Sequence, residues 1–336
     1  MTAREEQNSS EHPRSAVETQ RGQEVPADWI DDEAVPADWI ELALSFALLA
    51  PSPRNTQPWA FSTRDDEVIN LNFDRRRARP IADPRDRELT ISCAVSLYFA
   101  QLALASLGAD HVVTLHPDPR YPDHLAKIRL TGRANEPDQR AKDLVAAAIA
   151  RRTYWYRFTD EDVPDSVLRK LKTAAAAEGA DLRVVSGAER PVIESLVAKA
   201  NDRQLGDPDF VAELALWPVG RPSPPEPSIG VKPARTEDET GGALVALSTR
   251  GDSEDQWLVA GTALASVLLT AAGLGLAVAF DNQPIQVQQT RAEVAQALGL
   301  DADVQQLLRF GYPPETADAT PRRSLDEVLT PIVEPW

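Results

Sequence analysis

Two long apolar stretches constrain the fold of this chain more than any other feature of its 336 residues. The first covers about residues 88–107. The second, residues 257–280, contains no charged residue and is long enough to span a bilayer. Gly273 and Gly275 divide it, and its flanks, Asp255 and Asp281, offer none of the basic anchors that membrane spans carry. The sequence therefore predicts a buried core helix followed by an inner strand, and no membrane partner.

The two apolar stretches end in the same way. Leu107-Gly108 closes the first and Leu274-Gly275 closes the second, and a strand-like segment follows each. Each half also has an early helix that runs into a conspicuous polar motif. Helices and strands mixed in this order predict an α+β protein of two related halves, residues 36–138 and 139–336, with mainly antiparallel sheets and long central helices.

Hydrophobic periodicity and capping residues predict the other elements. Strands are expected at residues 68–73, 111–115, 125–131, 182–186, 243–248, 276–280 and 306–310. Helices are expected at residues 40–50, with Asp38 as N-cap and Pro51 as terminator, at 141–150, between Pro164 and Gly179, in two pieces over 188–216, and at 291–298.

The N-terminal segment, residues 1–35, is expected to be disordered or arm-like. Residues 1–24 are polar and charged, with no apolar stretch behind a basic start, so a secretory signal is not expected and the cytoplasm is the predicted location. The hexapeptide VPADWI at residues 25–30 recurs at residues 35–40. The first copy is interpreted as a packing arm, a partner-binding segment or sequence drift.

Charge and composition exclude two classes of function. A formal net charge of −17 and an isoelectric point near 4.7 leave no broad basic surface for a nucleic-acid backbone. One cysteine, Cys93, and four scattered histidines make a disulfide impossible within the chain and predict no metal site.

The motif APSPRNTQPW, residues 50–59, is the first candidate for chemistry. Its prolines fix a turn from which Ser52, Arg54, Asn55 and Gln57 project. Such amides can donate and accept hydrogen bonds in one plane, which suits a flat heterocycle, and an Arg near a flavin ring would stabilise its anionic reduced form. The alternative is a loop whose polar groups only satisfy the local backbone.

Two basic motifs form a candidate anion site. Arg151, Arg152 and Thr153 follow a predicted helix, and Arg322 and Arg323 precede the C-terminal segment. Guanidinium groups match phosphate oxygens well, so the two pairs together predict a composite phosphate site. Taken separately, each pair is more readily interpreted as a solvated surface pair, the first as a positively charged helix end.

A long segment rich in Pro and Gly, residues 217–242, interrupts the second half. Irregular segments of this length inside a compact domain are usually active-site covers or disordered loops. We therefore interpret residues 217–242 as a candidate lid.

These motifs together resemble the Acg family of nitroreductase-like FMN proteins. APSPRNTQPW is similar to the family's ring-binding segment SPHNTQPW, with Arg54 in place of its His. RRT and TPRRSL resemble its phosphate-binding segments, and GLAVAFDNQPIQVQQTR, residues 275–291, resembles the segment beside the flavin's reactive edge. The resemblance covers about residues 36–330.

The resemblance implies a nitroreductase-like fold in which two halves of one chain mimic a nitroreductase dimer. It implies one FMN site, because only the first half retains the ring-binding motif and only the second retains the basic pairs. The implied cofactor-binding residues are Ser52, Arg54, Asn55, Gln57, Arg151, Arg152, Thr153, Asn282, Gln283, Arg322 and Arg323.

The function that this resemblance implies is flavin-mediated hydride or electron transfer from NAD(P)H to a nitro compound, a quinone or a similar small acceptor. No protein side chain need act as nucleophile or base, because the flavin supplies the chemistry. A flavin-sequestering protein with little turnover is the alternative, and a flavin-free interaction protein is a third hypothesis. A fused pseudo-dimer could be a monomer or form homodimers.

Overall fold

The computed structural model describes residues 20–21, 37–133, 138–217 and 241–330. Three sequence predictions lie wholly or largely outside this range. They are the character of the N-terminal segment with its first VPADWI copy, the interpretation of a polar stretch at residues 135–139 as a linker, of which residues 138–139 are described, and all but the ends of the candidate lid.

Nine strands, ten α-helices and two short 3₁₀ helices, Pro53–Asn55 and Arg75–Arg77, form the described part of the chain. The strands are β1 Gln20–Arg21, β2 Trp59–Arg64, β3 Val68–Phe73, β4 Ala109–Leu115, β5 His124–Arg133, β6 Asp181–Val184, β7 Ala243–Thr249, β8 Ala277–Phe280 and β9 Asp303–Gly311. The helices are α1 Ala37–Ala47, α2 Arg87–Leu107, α3 Gln139–Ala150, α4 Asp165–Ala177, α5 Arg190–Leu205, α6 Pro208–Ala215, α7 Glu254–Gly273, α8 Gln283–Gln286, α9 Gln288–Ala297 and α10 Leu325–Val328.

The strands form two sheets, one in each half. The first has the order β1-β4-β5-β3-β2 and the second has the order β6-β7-β9-β8. Every pairing is antiparallel except the short parallel contact of β1 with β4. The predicted fold class, α+β with mainly antiparallel sheets in two halves, is confirmed.

The two long apolar helices, α2 and α7, pack against each other at the centre of the molecule. Gly261 lies at their closest approach, where an added Cβ would stand 2.4 Å from Ala94 Cβ and 2.6 Å from the Ile91 carbonyl oxygen. Both helices pass a length and hydropathy test for membrane spans, but 89% and 67% of their apolar windows are buried inside the protein. The prediction of a buried core helix followed by a strand, β8, is confirmed.

The first helix differs from its prediction. It begins at Ala37, so Asp38 lies in its first turn and is not the N-cap, and its regular part ends at Ala47. The chain continues to turn as far as Ala50, because Leu49 N–H donates to Phe46 O and Ala50 N–H donates to Ala47 O in a tighter helical turn.

Strand β2 was not predicted, because its residues directly follow the polar motif that was interpreted as a ligand loop. It pairs along its whole length with β3, from Trp59 opposite Phe73 to Arg64 opposite Val68. The C-terminal segment returns to this strand: Leu329 bridges Phe61, and Thr330 N–H donates to Phe61 O at 2.8 Å. This return carries the PRR motif from the second half to the first.

Candidate functional site

An open cavity of about 1220 Å³, its mouth included, lies between the two halves. The first half contributes the loop after α1 and one face of α2, with Ile91 and Val95. The second half contributes Leu264 of α7, Phe280 at the end of β8, and the helices α5, α6 and α8. An apolar lining with a few convergent polar groups is typical of a small-molecule site.

The loop of the APSPRNTQPW motif, residues 50–59, is held in a strained conformation. Arg54, Asn55 and Gln57 all have positive φ angles, 56°, 55° and 48°. Such left-handed conformations cost of the order of 1 kcal/mol or more for a residue with a side chain, and they persist where neighbouring contacts impose them. Here Ser52 Oγ accepts from Gln57 N–H at 2.8 Å and closes the loop.

Hydrogen bonds from the C-terminal segment hold this loop in place. Asn55 Nδ2 donates to Pro321 O at 3.0 Å, and Gln57 Oε1 accepts from Arg323 N–H at 2.9 Å. Ser52, Arg54 and Asn55 line the cavity, whereas Gln57 is buried and lies outside its lining. The contacts of Gln57 therefore shape the loop, while the other three side chains face the space where a ligand would bind.

Three guanidinium groups meet beside the cavity. Burial and the neighbouring charges of Arg322 and Arg152 lower the pKa of Arg151 to about 9, and burial together with Arg152 lowers the pKa of Arg322 to about 10. Within the described residues none of the three forms an ion pair with an acid, and the Nε atom of each is buried without a hydrogen-bond partner. Binding of an anion would relieve the repulsion between these like charges.

Local structure fixes the members of this cluster. Arg151 caps the C-terminus of α3, where its N–H donates to Ala147 O, and only 7% of the residue is exposed. Its Nη1 lies 3.4 Å from Thr153 Oγ1, and Thr153 in turn bridges Val278 of β8 and lines the cavity. Arg322 also lines the cavity and donates to Asn55 Oδ1 at 3.3 Å.

Arg323 has a different environment from its neighbour Arg322. Its Nη1 lies 3.4 Å from Asp74 Oδ2 and donates to the carbonyl oxygens of Gln57 and Trp59, while its Nη2 donates to Glu327 O. The side chain is 10% exposed and is absent from the cavity lining. Arg323 thus fastens the C-terminal segment to the first sheet.

Asn282 and Gln283 also differ from each other, although both line the cavity. Asn282 Nδ2 donates to Gln306 Oε1, and its Oδ1 accepts from Leu307 N–H at 2.7 Å, so its amide is engaged with β9. The Oε1 atom of Gln283 is buried and has no hydrogen-bond partner among the residues that the structure describes.

Sequence reasoning missed a second polar region of the cavity wall. Arg79 and Glu88 are buried there as an ion pair, Gln286 Nε2 donates to both Glu88 oxygens at 3.0 Å, and Gln204 Nε2 donates to Gln286 Oε1 at 2.8 Å. The only sequence signal was Glu88 itself, an acid at the start of an otherwise apolar helix. Its partners come from distant parts of the chain.

Helix α6 covers one side of the cavity and is anchored to the first half. Phe210 and Leu214 line the cavity, and Glu213 accepts from the N–H groups of Ile81 and Ala82 at 2.8 and 2.9 Å. Just beyond the helix, Trp217 O accepts from Arg54 Nη2 at 3.1 Å.

Comparisons with known proteins identify relatives of this chain by sequence. No family model matches the chain. It is 33% identical over 316 residues to "Putative NAD(P)H nitroreductase Rv3131" of Mycobacterium tuberculosis, covering 86% of this chain and 90% of the relative. It is 28% identical over 325 residues to "Putative NAD(P)H nitroreductase acg" of the same organism, covering 89% and 97%. The chain belongs to the Acg family of nitroreductase-like proteins.

Solved structures with a related fold are more distant. The FMN-dependent nitroreductase NfnB from Mycobacterium smegmatis, in complex with NADPH, is 17% identical, with a TM-score of 0.39 over 58% of this chain and 100% of its own. A nitroreductase with bound FMN from Desulfitobacterium hafniense is 15% identical, with a TM-score of 0.40 over 57% and 98%.

Proposed function

We propose that the chain is a cytoplasmic FMN-dependent oxidoreductase that takes reducing equivalents from NAD(P)H and delivers them to a nitro compound, a quinone or a similar small acceptor. The observation that carries this proposal is the cluster of Arg151, Arg152 and Arg322 beside an open cavity between the two halves. The names of the two relatives support NAD(P)H as the reductant and a nitro compound as the acceptor.

The residues present fit the phosphate of FMN. Three buried guanidinium Nε atoms without partners would gain charge-assisted hydrogen bonds or a counterion from a phosphate, and Thr153 adds a hydroxyl at the cavity wall. A neutral ligand would leave their mutual repulsion uncompensated. In this assignment Arg323 acts only indirectly, through the loop that it holds.

The strained loop would hold the ring and ribityl chain. Ser52, Arg54 and Asn55 present hydroxyl, guanidinium and amide groups to the cavity, and Gln57 keeps the loop in shape from behind. Asn282 and Gln283 are assigned to the reactive edge. The charge of Arg54 would stabilise negative charge on a nearby ring.

Bound FMN would supply the hydride and electron transfer, and the protein supplies binding, orientation and electrostatics. Ile91, Val95 and Leu264 provide an apolar floor that excludes water from a flat ligand. Because the APSPRNTQPW motif occurs once in the sequence and one such arginine cluster lies among the described residues, we propose one FMN per chain, in a pseudo-dimer that functions as a monomer or as a homodimer of such chains.

Flavin sequestration is the second candidate function, and the anchoring of α6 favours it. Glu213 and Trp217 tie the second half to Ile81, Ala82 and Arg54 at the cavity edge. A cover held by three such hydrogen bonds would slow the exchange of ligands, which suits storage or a narrow choice of acceptor.

The absorbance spectrum of the purified protein, followed anaerobically after addition of NADPH or NADH, separates the two functions. We expect a flavin spectrum that bleaches within seconds and recovers when a nitroaromatic or a quinone is added. A persistent flavin spectrum would favour sequestration. A colourless protein that takes up no added FMN would refute both.

A further inference from the structure

We infer that Arg79 is a specificity-determining residue for the acceptor, and that it selects flat aromatic acceptors with an oxygen atom at the edge of the ring, as nitro compounds and quinones have. Cationic acceptors that lack such an oxygen are disfavoured. This inference rests on the proposed function and extends it to the recognition of the acceptor. The residues concerned lie on the side of the cavity that α6 covers.

The guanidinium group of Arg79 is buried but only partly engaged. The residue is 7% exposed, and its Nη2 donates to Glu88 Oε2. Within the described residues this is the only hydrogen bond of its side chain, and its Nε and Nη1 atoms are not enclosed by protein atoms. Because Arg79 lines the cavity, these remaining N–H groups are available as donors to a ligand there.

Glu88 holds this guanidinium group in place and is itself fully engaged. Both of its carboxylate oxygens accept from Gln286 Nε2 at 3.0 Å, and Gln286 Oε1 accepts from Gln204 Nε2 at 2.8 Å. The ion pair is therefore rigid and neutral overall, so it can accommodate a neutral ligand. It offers hydrogen-bond donors to the cavity, and the oxygen lone pairs of a nitro group or a quinone match them.

An apolar cluster beside Arg79 suits the ring of such an acceptor. Phe210 and Leu214 of α6 pack with Ala82, and both border the same part of the cavity wall as Arg79. Glu213 ties α6 to the N–H group of Ala82, which lies three positions after Arg79 in the same loop. The donor group and the aromatic face are thus held in a fixed relation, and a ring packed against Phe210 would place its oxygen towards Arg79.

Charge also favours oxygen-bearing acceptors during the reaction. Negative charge grows on the oxygen atoms of a nitro compound or a quinone when the molecule takes up electrons, and a fixed guanidinium group stabilises that charge. A cationic acceptor without oxygen accepts no hydrogen bond from Arg79. It also meets the positive charge of Arg54, which borders the same part of the wall.

Equilibrium binding to the oxidised FMN-loaded protein, in the absence of NAD(P)H, tests the inference without turnover. Nitrobenzene and toluene are similar in size, but only nitrobenzene has oxygen acceptors. Difference spectra of the bound flavin measure both dissociation constants. In Arg79→Met/Glu88→Gln, which removes the donors without leaving a carboxylate buried and unpaired, the affinity for nitrobenzene relative to toluene should fall about tenfold, as expected for one hydrogen bond of about 1.4 kcal/mol.

Arg85→Met is the matched control, because Arg85 lies in the same loop, pairs with Asp252 and has a side chain that is 55% exposed and outside the cavity lining. Glu88→Gln alone keeps the guanidinium group of Arg79. Both variants should keep the wild-type ratio of affinities. If the double variant does not fold, competition in the wild-type holoprotein replaces it: benzoate should displace nitrobenzene, and benzylammonium should not.

An unchanged ratio in the double variant, an equal loss in Glu88→Gln, or displacement of nitrobenzene by benzylammonium would overturn the inference. These outcomes leave the proposed function intact, because FMN uptake is read separately from the flavin absorbance. A colourless protein that takes up no added FMN would instead overturn the proposed function together with this inference.

Discussion

Two groups of charged side chains line or adjoin the same cavity, and they differ in whether their charges are paired. Arg151, Arg152 and Arg322 gather like charges without an acid among the described residues, whereas Arg79 and Glu88 form an ion pair inside a closed hydrogen-bond network. Repulsion in the first group is resolved when an anion binds, while the second group is already satisfied. The first arrangement therefore indicates a ligand, and the second indicates a rigid wall.

Removing two members of the arginine cluster should have the largest effect. In Arg151→Ala/Arg322→Ala the affinity for FMN should fall about 1000-fold, because two charge-assisted hydrogen bonds worth about 2 kcal/mol each are lost. The stability of the flavin-free protein should change much less than the affinity, since relief of like-charge repulsion offsets the loss of the hydrogen bonds that Arg322 donates to Asn55 and Leu49. Fluorescence titration and thermal unfolding measure the two quantities.

The matched control for this double variant is Arg64→Ala/Arg120→Ala, which removes the same charge from side chains that are 61% and 75% exposed. It should bind FMN as the wild type does. An equal loss of affinity in both double variants would show that net charge, not the cluster, governs binding.

Arg323→Ala should destabilise the fold rather than act on the ligand directly. It leaves the buried carboxylate of Asp74 and three carbonyl oxygens without this donor, so we expect the free energy of unfolding of the flavin-free protein to fall by about 3 kcal/mol. Urea unfolding measures it. Arg64→Ala also removes an ion pair, but one whose two side chains are 61% and 76% exposed, and should change stability little. Equal stability of Arg323→Ala and wild type would contradict the structural role of Arg323.

The region around the Arg79–Glu88 ion pair predicts that stability depends on pH. Burial, and then the charge of Glu88, raise the pKa of Asp83 to about 6 from its ordinary value of 3.8. The folded state therefore keeps a proton that the unfolded chain releases, and the free energy of unfolding should fall by about 2 kcal/mol as the pH rises from about 4 to 6. Asp83→Asn should remove this fall in urea unfolding curves. An unchanged profile in the variant would assign the dependence to another group.

Weakening the contact between helix α6 and the first half should have the smallest effect, an increase in the rate of FMN release. In Glu213→Gln, one of two backbone hydrogen bonds to Ile81 and Ala82 loses its acceptor, at a cost of about 1 kcal/mol. Release of FMN on dilution, followed by flavin fluorescence, should become several-fold faster. Asp209→Asn, an exposed acid on the same helix, should leave the rate unchanged. The same rate in Glu213→Gln would mean that α6 does not limit exchange.

Local patterns predicted most of the fold and part of the candidate site. Strand β3 and helix α2 follow from periodicity and from Gly108, whose positive φ ends the helix. The ring-side loop and the arginines were found because their residue types are unusual in their context. Local patterns could not separate Arg322 from Arg323, because the partners that distinguish them, Asn55 and Asp74, lie more than 240 residues away.

The polar wall was missed for the same reason. Glu88 and Gln286 are 198 residues apart, and neither stands in a motif that predicts the other. Strand β2 was missed because its sequence merges with the loop before it, and its pairing with β3 decides its conformation.

The central claim is that one FMN binds per chain beside the cluster of Arg151, Arg152 and Arg322. Equilibrium titration of the purified flavin-free protein with FMN, followed by quenching of flavin fluorescence, tests it most directly. We predict saturation at one FMN per chain. No uptake, or saturation at two FMN per chain, would contradict it.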